Sequence, residues 1–165
     1  MRWPHALVYL AVAAILVTVT WLTAPPPAPP PTLDAPHADS TLAVREVVVD
    51  AHGTHVRAVR VGERWQVREP QGSTISSDLI SALLTTVLDG RAEAVAGGDA
   101  DQLGDFGLAE PSARIVLTRD SGAPVTLVLG ATNPSATGIY GRLEGNPQIV
   151  LLGLNVHSYV DLLTQ

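Results

Sequence analysis

Residues 43–61 read AVREVVVDAHGTHVRAVRV, and this stretch decides the fold. Two valine-rich runs, residues 43–50 and 55–61, are joined by Ala-His-Gly-Thr. Runs of β-branched residues on either side of a short, glycine-containing connection predict a β-hairpin. Gly53 can adopt the positive φ angle that a tight turn requires. The stretch therefore predicts an antiparallel sheet in a domain that begins near residue 41.

A third strand follows at residues 64–68, RWQVR, after a turn at Gly62 and Glu63. Trp65 and Val67 alternate with polar residues, so one face of this strand is predicted to be buried. Pro70 ends the strand because proline cannot donate a hydrogen bond to a sheet.

The clearest helix covers residues 77–89, where apolar residues recur at helical spacing. Ser76 or Ser77 can cap its start, and Gly90 fits the position after its end. The apolar stripe consists of Leu79, Ile80, Leu83, Leu84, Val87 and Leu88.

The remainder of the chain predicts more hairpins and few helices. A short strand is expected at 91–95, hairpins at 113–118 with 124–129 and at 139–143 with 148–152, and a closing helix at 156–163. Too few helices lie between strands for a parallel sheet. Residues 41–165 therefore predict one α+β domain, an antiparallel, meander-rich sheet with one main amphipathic helix on one face.

Residues 6–23 form an uncharged apolar run, ALVYLAVAAILVTVTWLT. Eighteen helical residues rise about 27 Å, close to the thickness of the hydrocarbon core of a bilayer. Arg2 precedes the run, and the next basic residue is Arg45. The positive-inside rule then places residues 1–5 in the cytoplasm and the domain outside it. The sequence predicts a single transmembrane helix whose partner is the lipid bilayer.

A cleaved signal peptide is the alternative to a permanent anchor at the N-terminus. Such a peptide ends at a small-x-small cleavage site. Here Ala24 is followed at once by three prolines, and Leu22 stands where a small residue is required. We therefore favour an uncleaved anchor.

Residues 24–40 predict a proline-rich linker, with seven prolines between Pro25 and Pro36. This composition favours polyproline II, in which residues 25–36 make a semi-rigid spacer of up to about 37 Å at ~3.1 Å per residue. A ligand for a proline-binding domain is the alternative role.

Composition excludes several classes of function. The 165 residues carry a net charge of −6 and contain no cysteine, which excludes disulfide scaffolds, thiolate metal sites and cysteine nucleophiles. Beyond residue 33, nine arginines stand against sixteen acidic residues, and lysine is absent throughout. This balance argues against nucleic-acid binding, which needs a basic surface.

One cluster has the composition of a metal site: Asp50, His52 and His55 lie within six residues. Because alternate residues of a strand share a face, Asp50 and His52 are expected to converge, with His55 pointing elsewhere. An ordinary solvated turn explains the same residues. We therefore predict neither a metal nor a cofactor.

No catalytic arrangement stands out, so the sequence predicts a protein that is not an enzyme. Ser158, His157 and Asp161 form a serine-histidine-aspartate set on paper, but adjacent helical residues do not face each other. The acidic residues Asp99, Asp101 and Asp105 have a calcium-like spacing, for which a solvated loop is the simpler interpretation.

Six arginines on predicted strands are candidates for a shared exposed face. A solvated face, paired with Glu46, Glu63 and Glu69, is the default interpretation, and a docking surface for an acidic partner is the alternative. The arginines are Arg45, Arg57, Arg60, Arg64, Arg68 and Arg142.

The order of several short motifs resembles the bacterial family called domain of unknown function 4340, over most of residues 43–153. The motifs are Trp65-x-Val67-x-x-Pro70, the helix, Asp105-Phe106-Gly107-Leu108-x-x-Pro111, a strand pair ending at Gly130, and Ile139-Tyr140-x-Arg142-Leu143. The resemblance implies a membrane-anchored domain outside the cytoplasm. It also implies an accessory role, since some members are encoded beside ABC-type transporter components of gliding motility. It carries over no catalytic residue.

The motif residues have structural interpretations. Phe106 is expected to fill the core beside the main helix, and Trp65 to be a core residue. Gly107 is expected to hold a backbone angle closed to other residues, and Pro111 to set the start of the next strand.

These observations predict a non-enzymatic, single-pass membrane protein that presents an interaction or assembly domain outside the cytoplasm. The alternative is a binding domain for a small ligand or a cell-envelope polymer, with residues 131–138 (ATNPSATG) as its site.

Overall fold

The computed structural model describes residues 44–88, 92–97 and 102–165. The predicted cytoplasmic segment 1–5, transmembrane helix 6–23 and linker 24–40 lie outside the described residues. Within the described ranges, no helix is both long enough and apolar enough to cross a membrane.

The described chain forms eight strands and two helices, which confirms the predicted α+β class. The elements are β1 (Val44–Ala51), β2 (Thr54–Val61), β3 (Arg64–Glu69), α1 (Ser77–Leu88), β4 (Ala92–Gly97), β5 (Ala113–Arg119), β6 (Val125–Thr132), β7 (Gly138–Leu143), β8 (Ile149–Gly153) and α2 (Leu154–Leu163). The closing helix starts two residues earlier than the apolar pattern indicates.

All strands join one sheet in the order β3-β2-β1-β5-β6-β7-β8-β4. Every neighbouring pair is antiparallel, which confirms the predicted antiparallel sheet. Two meanders, β3-β2-β1 and β5-β6-β7-β8, meet where β1 pairs with β5. Strands β3 and β4 lie at opposite edges, so the connection that contains α1 spans the whole sheet.

The hairpin between β1 and β2 closes through a two-residue turn, His52 and Gly53, with Ala51 paired to Thr54. Their φ angles are 53° and 76°, both positive as a type I′ turn requires. Gly53 therefore behaves as predicted, and His52 adopts a conformation that few non-glycine residues accept.

Both helices pack on one face of the sheet and form the main core. The helix residues Ile80, Leu83 and Val160 are buried against Val49 of β1 and Ile115 of β5. Burial of this continuous apolar layer is the principal source of stability.

The start of α1 uses both candidate serines for different purposes. Ser76 is the cap, because its Oγ accepts a 3.2 Å hydrogen bond from the backbone N–H of Leu79. Ser77 Oγ instead accepts a 2.9 Å hydrogen bond from the N–H of Trp65. Helix α1 thereby covers part of the open edge of β3.

A smaller core lies on the second face of the sheet. Leu108, Val128 and Ile149 are buried there, with Leu103, Phe106 and Tyr140 packed beside them. The prediction that Phe106 lies beside the main helix is therefore wrong. Leu127 and Leu129 of β6 point to the helices, so Val128 between them points away, toward Phe106.

Candidate functional site

The three candidate metal ligands do not converge on one point. His55 Nδ1 lies 2.6 Å from Asp50 Oδ1, whereas His52 Nε2 lies 3.1 Å from Oδ1 of Asp161 on α2. The structure thus brings together Asp50 and His55, not Asp50 and His52 as predicted. Among the residues that the structure describes, no three His, Cys, Asp or Glu side chains are arranged to hold a metal.

The short turn explains this outcome. A two-residue connection makes Asp50 and His55 direct cross-strand partners, and such partners share a face. His52 belongs to the turn itself, so strand alternation does not govern its direction. The symmetric placement of residues 50 and 55 about the turn was a signal that strand alternation alone overlooks.

Asp50 and His55 belong to a chain of polar side-chain contacts on the second face of the sheet. Arg57 Nε donates a 2.9 Å hydrogen bond to Glu46 Oε1, and its Nη1 lies 3.6 Å from Glu69 Oε1. His55 Nε2 lies 3.7 Å from Glu69 Oε2. The hydrogen bond from Arg57 lowers the pKa of Glu46 and outweighs the opposing effect of burial. Arg57 thus pairs with two of the predicted glutamates.

A second ion pair lies further along the same face. Arg114 Nη1 donates a 2.7 Å hydrogen bond to Glu144 Oε1, and this bond lowers the pKa of Glu144. Both arginines are therefore engaged by carboxylates of the domain itself. Arg64 and Arg68, by contrast, are exposed on the edge strand β3.

Between these ion pairs lies what we call the valine patch: Val48, Val59 and Val116, with Thr118 and Thr126. Val48 pairs with Val116, and Val116 pairs with Thr126, across three adjacent strands. All five side chains are only half-buried. Within the described ranges, the helices lie on the opposite face, and the loop that carries Phe106 covers β6 to β8 only.

The loop at residues 131–138 uses its polar groups internally. Asn133 Oδ1 accepts hydrogen bonds from the N–H groups of Thr137 and Gly138, at 2.8 and 3.1 Å. Its Nδ2 donates to the hydroxyls of Ser135 and Thr137. The predicted ligand loop is therefore a compact turn held by its own asparagine.

A cleft of about 660 Å³ lies elsewhere, on the helix side of the sheet. The connection at residues 70–76 forms one wall, and the last turn of α2 forms the other. Sequence analysis missed this cleft, because its two walls are some ninety residues apart in the chain and carry no motif.

Ser158, His157 and Asp161 do not form a catalytic triad. Ser158 Oγ donates a 3.1 Å hydrogen bond to the carbonyl of Leu154, one helical turn back. His157 Nε2 lies 3.5 Å from Asp161 Oδ2, on the same helix. Of the acidic group, Asp105 is exposed, whereas Asp99 and Asp101 lie outside the described residues.

The residues of the Phe-Gly-Leu-x-x-Pro motif do assemble in space. The Phe106 carbonyl accepts a 2.8 Å hydrogen bond from Ala131, and the Phe106 and Tyr140 rings meet edge to face at 4.8 Å. Gly107 has the predicted positive φ, +68°, and a Cβ there would lie 2.7 Å from the Ala131 nitrogen. Gly130 has no room for a Cβ beside the Phe106 carbonyl. We call the contact of Phe106 and Gly107 with Gly130, Ala131 and Tyr140 the latch.

The other motif residues lie in the two cores or next to the ends of strands. Trp65 is 8% exposed and belongs to the main core, as predicted. Pro70 directly follows the last residue of β3, and Pro111 lies two residues before β5, where both positions fit the predicted strand limits. Leu108 is buried in the smaller core.

The chain is similar to a known protein family. The model of the family described as "Domain of unknown function (DUF4340)" matches residues 65–163. This span includes α1, the latch, β7, β8 and all of α2. No curated protein and no solved structure matches the chain.

Proposed function

The chain belongs to the DUF4340 family, and from that premise we propose that it is a membrane-anchored interaction domain, not an enzyme. Residues 6–23 anchor it in the bacterial cytoplasmic membrane, with the N-terminus in the cytoplasm. Residues 24–40 hold the domain, residues 41–165, away from the lipid on the periplasmic side. The domain docks onto a protein of the same membrane, and an ABC-type transport or motility complex is the first candidate.

The valine patch is the observation that carries the proposal. Protein interfaces commonly combine an apolar centre with a polar rim. Here Val48 and Val116 form the centre, and the pairs Arg57–Glu46 and Arg114–Glu144 lie at its border. Because those arginines are already paired, the patch favours a partner with an apolar contact surface over an acidic one.

Anchoring and display are supported by the sequence outside the described residues. The uncharged run at 6–23 is long enough to span a bilayer, and Arg2 is its only basic flank before residue 45. Residues 25–36 of the proline-rich linker span up to about 37 Å at ~3.1 Å per residue, which holds the domain away from the membrane.

Affinity purification of tagged full-length protein from native membranes, in mild detergent, tests the proposal. Mass spectrometry is expected to recover a permease or ATPase subunit in stoichiometric amount. Val116→Lys, on the valine patch, is expected to lose that subunit. Thr85→Lys, on the exposed side of α1, is the matched control and is expected to retain it.

Recovery of the chain alone, or equal recovery of the subunit with both variants, would contradict the proposal. Val48→Lys repeats the test on a neighbouring strand in case Val116→Lys fails to fold, and circular dichroism verifies the fold of each variant.

A further inference from the structure

The cleft on the helix side has an aliphatic floor. Its apolar lining residues are Val56, Ile75, Leu79, Leu162 and Leu163. Leu162 lies at the rim and is 53% exposed. In the described part of the chain, Leu162 and Val61, which is 47% exposed, are the two exposed large hydrophobic residues. The volume of about 660 Å³ lies within the range of ordinary ligand sites.

The polar groups of the cleft are neutral and have hydrogen-bonding capacity left. Ser73 and Ser76 Oγ accept hydrogen bonds from the N–H groups of Ile75 and Leu79, so each hydroxyl proton remains to be donated. The side chains of Thr54, Thr74 and Gln165 also line the cleft, and none of the hydrogen bonds found among the described residues involves them.

Charge sets the cleft apart from the rest of the domain. None of its thirteen lining residues has a charged side chain, although residues 34–165 contain nine arginines and sixteen acidic residues. A charged group placed there would lose hydration without gaining an ion pair. The cleft therefore selects uncharged occupants.

The wall at residues 70–76 also offers free main-chain groups. Within the described chain, Gln71, Gly72 and Thr74 lie in no helix or strand, and no hydrogen bond to another backbone group involves them. Main-chain groups of this kind can pair with the backbone of an extended peptide.

From these observations we propose that the cleft binds an uncharged, extended peptide segment that inserts an aliphatic side chain between Leu79 and Leu162. The aliphatic floor would hold the side chain, and the hydroxyls, amides and free backbone groups would hold the peptide main chain. The site is separate from the valine patch, on the other face of the sheet. Peptide binding in the cleft would therefore be a second contact beside the proposed docking through the valine patch. Each of the two contacts can be disproved without disproving the other.

A glycan is the competing occupant of a neutral, hydroxyl-rich cleft. Sugars stack their apolar faces on aromatic rings, and none of the lining residues is aromatic. Aliphatic side chains in a cleft with free backbone groups favour a peptide instead.

A phage-displayed random heptapeptide library, selected on full-length protein in nanodiscs, tests the inference. Enriched peptides are expected to lack charge and to share one leucine, isoleucine or valine position. Leu162→Ser is expected to weaken their binding at least about tenfold, because it removes one of the two leucines between which the peptide side chain would insert. Val61→Ser removes the other exposed hydrophobic residue, outside the cleft, and is expected to leave binding unchanged.

Three outcomes would overturn the inference: no enrichment, enrichment of charged peptides, or equal binding to Leu162→Ser and wild type. The disaccharide diacetylchitobiose is titrated in parallel, and the NMR signals of the cleft residues are followed. Shifts of these signals with the sugar and not with the peptides would assign the cleft to a glycan. Because Leu162 is exposed, its substitution leaves the fold intact, and a thermal melt verifies this. Loss of the native partner with Val116→Lys is scored separately, so the two proposals are judged independently.

Discussion

The backbone N–H of Ala131 donates a 2.8 Å hydrogen bond to the carbonyl oxygen of Phe106. This bond ties the segment before β5 to the irregular part of β6, where the pairing with β7 shifts register. The same contact leaves no room for a side chain on Gly130 and little for one on Gly107. The latch thus explains in physical terms why aromatic and glycine residues stand at these positions, with no chemistry required of them.

Gly130→Ala is expected to destabilise the domain by about 2–4 kcal/mol, because the new Cβ would overlap the Phe106 carbonyl. Gly104→Ala is the matched control. A Cβ there meets no heavy atom within 4 Å, so its effect should stay within about 0.5 kcal/mol. Urea unfolding measures both, and equal free energies of unfolding for the two variants would contradict the role of the latch.

The edge-to-face contact between Phe106 and Tyr140 is expected to contribute about 0.5–1.5 kcal/mol beyond simple burial. A double-mutant cycle with Phe106→Leu and Tyr140→Leu isolates this coupling free energy. Strict additivity of the two substitutions would show that the ring geometry contributes nothing.

Acid sensitivity should depend on Glu46. Its pKa is lowered in the folded state by the hydrogen bond from Arg57, so its contribution to stability is present above its ordinary pKa of 4.5. That contribution is lost as the pH falls through the lower folded-state pKa. Glu46→Gln is therefore expected to lower the melting temperature at neutral pH and to converge with wild type in strong acid.

Thermal melts between pH 7 and pH 2 test this expectation. Glu110→Gln, which removes an exposed carboxylate of the Phe-Gly-Leu-x-x-Pro segment, serves as the control, and its melting temperature should follow that of wild type. Parallel curves for Glu46→Gln and wild type would show that the ion pair does not contribute to the pH dependence.

Membrane topology can be measured directly in cells. Alkaline phosphatase fused after Gln165 is expected to be active, because the enzyme folds only outside the cytoplasm, and the fusion should stay with the membrane fraction. Leu16→Arg places a charge at the centre of the apolar run, which costs about 3 kcal/mol. This variant is expected to release the fusion from the membrane or to abolish its phosphatase activity. An inactive wild-type fusion would contradict the predicted orientation.

Local signals in the sequence predict much of this fold. The hairpin of β1 and β2 and the helix α1 appear as predicted, because valine runs, a His-Gly turn and a capped apolar stripe each act over a few residues. The pairing of β1 with β5, and of β4 with β8, has no such local signal. The pairings β1–β5 and β4–β8 are tertiary contacts. They depend on which strand edges are still unpaired after the connection through α1 has brought the chain to the opposite edge of the sheet.

The errors concern the direction of side chains. Phe106 was expected beside the helix, but the alternation along β6 assigns Val128, and therefore Phe106, to the opposite face. His52 was expected beside Asp50, but it lies in the turn and contacts Asp161 from the other end of the chain. Neither tertiary relationship is visible in the spacing of neighbouring residues.

Site-specific photo-cross-linking of the full-length protein in native membranes tests the proposed docking most directly. A benzoylphenylalanine at Thr118, within the valine patch, is compared with one at Thr85 on the exposed side of α1. We expect one membrane-protein partner to be cross-linked from Thr118 and not from Thr85. Cross-linking from Thr85 alone, or from neither position, would contradict docking through the valine patch.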